Sequence, residues 1–158
     1  MGAASRRDPM AEQRLLADRV FGDIIDQPPE DPRVREGLVE EIRRLLEAAR
    51  KTQVGKRDAF VGANRLSVAA RLEVSNSTER HVEAERAVVY QAEFGDDEDL
   101  LLRTLARIDQ ADRERQAAHE LAERLVARAN DAQDELKRTT SEVDYIAFLV
   151  EALGPALP

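Results

Sequence analysis

The sequence predicts an all-α protein: a short N-terminal helix followed by a long antiparallel coiled-coil hairpin, closed at its open end as a three-helix bundle. Three observations lead there. No proline falls between Pro32 and Phe94, and no strand-like alternation persists anywhere. Apolar residues recur at alternating three- and four-residue steps over most of the chain. The one strong break in that stretch is Gly95-Asp96-Asp97.

Residues 1–8 carry no periodic pattern and read as disordered. Met10-Ala-Glu-Gln reads like a natural start, which would make the first nine residues an extension. The opening Met-Gly-Ala-Ala-Ser approaches an N-myristoylation signal, but Arg6 stands where the motif needs Ser or Thr, so lipidation is not expected. The remainder, 9–158, is expected to be a single helical-hairpin domain.

The first predicted helix spans 9–26. Asp8 can cap it, and Pro9 suits the first helical position. Leu16, Val20 and Ile24 form its apolar stripe, widened by Leu15, Phe21 and Ile25. Gln27-Pro28-Pro29-Glu30-Asp31-Pro32 stops it, because proline lacks the N–H that a helix interior needs. Asp31-Pro32 then repeats the pairing of a cap with a first-turn proline and opens a second helix over 32–94. A turn is expected at 95–97, with Gly95 closing one helix and Asp96 and Asp97 capping the next. The third helix is expected over 98–153, ending at Gly154-Pro155. The two long helices would each extend roughly 80–95 Å if straight, at about 1.5 Å per residue.

The heptad spacing can be tested by counting. One seam of the third helix reads Leu101, Thr104, Ile108, Ala111, Arg115, Ala118, Ala122, Leu125, Ala129, Ala132, Leu136, Thr139, Val143, Ile146, Val150, Leu153. Only Arg115 is charged among these sixteen positions, in a chain that is 35% charged. A random draw would place five or six charges there, so the charges avoid this seam. The second helix offers Leu38, Ile42, Leu45, Ala49, Thr52, Lys56, Ala59, Ala63, Leu66, Ala70, Val74, Ser77, His81, Ala84, Val88 and Gln91, with a stutter from Leu66 through Ala70 to Val74. Folding back at Gly95 pairs Val88 with Thr104, Val74 with Ala118, Ala49 with Val143 and Leu38 with Leu153. One register serves both seams.

The seam is mainly Leu, Ile and Val near the open end, and Ala, Thr and Ser in the middle. Small residues bury little apolar area, at about 25 cal/mol per Å2. Leu46, Phe148 and Leu149 lie off the seam at the open end, and the stripe of the first helix is expected to cover them. Val89, Tyr90 and Phe94 before the turn, and Leu101, Leu102 and Leu105 after it, exceed what two helices can bury. They are the expected partner-binding residues.

Composition narrows the function classes. The chain has no Cys, so it has no disulfide, zinc–thiolate site or thiol nucleophile. Its net charge of -8 argues against nucleic acid, which needs basic patches. The acidic and basic residues are intermixed, as in Arg113, Glu114, Arg115, Glu120, Glu123 and Arg124, which marks a solvated helix surface. Tyr145 to Val150 is the longest apolar run, too short to cross a bilayer, and no secretory signal is visible. A cytoplasmic location is expected.

Chemistry is not evident. His81 and His119 fall about 12 Å apart along the hairpin by helical rise, so they cannot share a metal. Neither completes a Glu-x-x-His pair, because Thr78 and Gln116 hold the partner positions. Gly55-Lys56 lacks the rest of a phosphate loop. Asn76-Ser77-Thr78 matches a glycosylation acceptor but lies mid-helix, where chance explains it. Gly55 and Gly62 share a helix face, which suits either close approach of a second hairpin or a local break around Thr52 to Asp58. No cofactor, metal or small-molecule substrate is expected. The expected function is that of a non-enzymatic structural or adaptor protein that self-associates, with a homodimer as its form. The second reading is a small acidic helical chaperone that holds a client helix.

Overall fold

A computed structural model describes residues 26–153. The expected disorder over 1–8 and the first helix over 9–26, Asp26 apart, lie outside the described residues, as does the three-helix bundle that needs that helix. Two long helices pack together: α1, Pro32–Phe94, and α2, Glu98–Leu153. No strand occurs among the described residues.

Both helices start at aspartate caps, for the reason the sequence suggests. The first turn of a helix leaves N–H groups without intrahelical acceptors. The amide of Arg33 donates to Asp31 Oδ1 at 2.9 Å, and the Arg35 guanidinium donates to the Pro29 carbonyl at 3.0 Å. At α2 the amides of Asp99 and Leu100 both donate to Asp97 Oδ1, at 3.0 and 3.3 Å. Gly95 follows the last residue of α1, as expected. Gly95 does not take a left-handed conformation; no described glycine does. Its N–H still makes a helical bond to the Gln91 carbonyl at 3.0 Å. The reason for glycine there is space, since a Cβ would stand 2.6 Å from that same carbonyl oxygen.

The helix α1 is unbroken through both Thr52–Asp58 and Ser75–Thr78. The hydroxyls of Ser77 and Thr78 donate to the Val74 carbonyl at 2.9 and 2.8 Å. The polar run thus satisfies itself within the helix.

The described residues belong to two compact units: residues up to 54 with those from 138 onward, and Gly55–Lys137. In the first unit Val39, Ile42, Leu149 and Leu153 form the core, with Leu38, Tyr145, Ile146 and Val150 packed against it. Gln53 Nε2 donates to Thr140 Oγ1 at 3.2 Å. Leu46 and Leu149 are buried and Phe148 is 57% exposed; the helix expected to cover them lies outside the described residues.

In the second unit the seam is small and polar. Ala70, Ala111, Ala118, Ala122 and Ala129 are buried together with Ser67, Ser77 and Thr104. Each of these hydroxyls donates to a carbonyl one turn back: Ser67 to Asn64, Ser77 to Val74, Thr104 to Leu100. Burial of an unpaired hydroxyl would cost about 1–3 kcal/mol; these avoid it. Lys56 reaches Glu135 across the helices at 2.7 Å, and Arg80 reaches Glu114 at 3.7 Å.

All sixteen expected seam positions of α2 are buried or half-buried. In α1 the seam needs correction. Leu45, Thr52, Ala59 and Leu66 are exposed, and their neighbours Leu46, Gln53, Phe60 and Ser67 turn inward. With those four in place, the inward positions alternate by four and three residues from Ile42 to Gln91, and the stutter vanishes. A steady period of 3.5 residues decides which positions face inward, and only at Leu66 and Ser67 does it turn the larger apolar side chain outward.

Candidate functional site

The last turns of α1 carry the candidate site. Helical residues fall about 100° apart, so 82, 86, 89 and 93 share the face opposite the seam positions His81, Ala84, Val88 and Gln91. Val82, Glu85, Arg86, Val89, Tyr90, Glu93 and Phe94 line a shallow groove on that face. Tyr90 and Phe94, one turn apart, meet with ring centroids 5.3 Å apart and planes inclined by 44°. Both are largely exposed, at 62% and 69%, and Val89 is 57% exposed.

Three of the six expected partner-binding residues line this groove. Val89, Tyr90 and Phe94 come together on α1. Leu102 and Leu105 are exposed on α2 and do not line the groove. Leu101 is half-buried, in line with Thr104 and Ile108 on the α2 seam. Arg86 and Glu93 are the groove's charged residues at the centre of the face, and the sequence reading passed over them. Their signal was the repeat 82, 86, 89, 93, which places charge and apolar surface on one outer stripe.

The histidines lie elsewhere. His81 occupies the seam with its side chain 12% exposed, and its Nδ1 and Nε2 stand 3.7 Å from Glu85 and Asp112 respectively. Asp112 accepts a 2.8 Å bond from Arg115. Beside them Arg80 donates to Glu73 at 2.6 Å. That hydrogen bond, with the charges of Glu73 and Glu114, holds the Arg80 guanidinium above its ordinary pKa. His119 is exposed and borders a second shallow groove with Arg71, Val74 and Glu123. Among the described residues no group of three His, Asp or Glu side chains is placed to hold a metal ion. No helix among them is long and apolar enough to cross a membrane.

No protein-family model matches the chain, and comparisons with curated proteins and with solved structures find no significant match.

Proposed function

We propose that this chain is a non-enzymatic coiled-coil structural or adaptor protein of the cytoplasm. It acts through helix-mediated self-association, as a homodimer, and through contacts with other proteins. Its scaffold in this reading is an antiparallel hairpin, with the helix over 9–26 completing a three-helix bundle at the open end.

One observation carries the reading: Val89, Tyr90 and Phe94 lie bare on one face of α1. A two-helix seam has no third layer to cover them. Aromatic side chains in contact with one another and with water gain most when a partner surface closes over them. Sedimentation equilibrium tests this. A dimer is expected at micromolar concentration, weakened in the double variant Tyr90→Ala/Phe94→Ala. A strict monomer at high micromolar concentration sinks it.

The groove itself favours a second reading, a small acidic chaperone. Its apolar floor and mixed charges suit an amphipathic client helix. The same double variant separates the two. Under this reading it keeps its oligomeric state and loses a co-purifying client.

A further inference from the structure

We propose that the α1 groove is an isologous contact, filled by the same groove of a second copy of this chain running antiparallel across a two-fold axis between Val89 and Tyr90. The inference rests on the self-association reading above and specifies its geometry. Its basis is the pattern of charge.

Arg86 and Glu93 lie seven residues apart, two turns on one face, about 10 Å along the helix. Both are exposed, and neither makes an ion pair or hydrogen bond among the described residues. They are of opposite sign and sit equally far from the midpoint between Val89 and Tyr90. A two-fold axis at that midpoint brings each Arg86 to the other copy's Glu93, giving two equivalent ion pairs. The same axis sets Val89 against Val89 and Tyr90 against Tyr90 at the centre, with Phe94 flanking Tyr90 at the edge of the contact. Parallel docking would instead oppose Arg86 to Arg86 and Glu93 to Glu93. Like charges facing each other across an interface disfavour that arrangement. A C2 contact must be self-complementary, and this face is so only in the antiparallel sense.

The overlap covers about three turns of α1, so the interface is small and the dimer falls in the weak, reversible class. The expected dissociation constant is in the micromolar range.

Two measurements on the full chain test the geometry. First, sedimentation equilibrium is run on Arg86→Glu, Glu93→Arg and the double reversal R86E/E93R. Each single reversal should weaken the dimer about ten-fold or more, and the double should return to within about three-fold of the starting protein. Second, the natural chain has no Cys, so single cysteines report proximity cleanly. Under mild oxidation Val89→Cys should form a disulfide-linked dimer, because the axis places that residue beside its own copy. Val82→Cys should not, since its copies would lie about 22 Å apart along the helices. All four sites are exposed, so circular dichroism should register no loss of helix. Single reversals that leave the dimer intact, or equal cross-linking at 82 and 89, overturn the geometry while self-association stands. Cross-linking at Gly62→Cys, where the side chain has open space, but not at Val89→Cys would place the contact on the glycine face instead. A starting protein that stays monomeric overturns both this inference and the self-association reading.

Discussion

At the residue scale, weight is concentrated in few side chains. The largest fully buried side chains are Ile42, Leu149, Val39 and Ser77, and the three apolar ones belong to one core. Truncating such a residue removes transfer energy and leaves a cavity. Ile42→Ala and Leu149→Ala should each cost about 2–5 kcal/mol in urea denaturation. Leu45→Ala and Leu66→Ala should stay within about 0.5 kcal/mol, since those leucines are 46% and 54% exposed. A large loss at Leu45 or Leu66 would restore the stuttered seam. Leu66 is the position where side-chain type alone misleads: the adjacent Ser67 buries at no polar cost because the Asn64 carbonyl accepts its hydroxyl. A small polar residue that bonds its own helix looks unfit for a core only when that bond is overlooked.

At the element scale, the helix ends were legible because their chemistry is local. Asp31 and Asp97 cap through side-chain oxygens that the sequence places one residue before the helix. Asp97→Ala should lower stability by about 1 kcal/mol, measured by thermal unfolding. Gly37 has open space where a Cβ would go, so Gly37→Ala should stabilise the protein by about 0.5–1 kcal/mol. Gly95 is the opposite case. Its alanine would press on the Gln91 carbonyl and should destabilise the helix end. The seam of α2 was legible in full because charge avoids it. That of α1 was read only in part, since Lys56, His81 and Gln53 sit on it and blur the contrast with the surface. The groove was half-visible: its aromatics stand out in a chain with six such residues, whereas Arg86 and Glu93 look like any surface pair until the face is assembled.

At the scale of the whole molecule, the shortage of aromatics and the wealth of charge have one physical meaning. Two paired helices have almost no interior, so most side chains meet water and must be polar. Exposed ion pairs such as Lys51 with Glu47 contribute about 0–1 kcal/mol each. Stability therefore leans on the Val39–Leu153 core, and the proposed function on whatever covers the bare face near the turn. With a net charge of -8, two copies repel at long range. The proposed ion pairs act against that repulsion only at contact, and added salt screens both effects. The most direct test of the account is the mass in solution by sedimentation equilibrium across the micromolar range. The account predicts a reversible shift from the 17.7 kDa chain towards twice that mass as concentration rises. A single species at 17.7 kDa up to high micromolar concentration would contradict it.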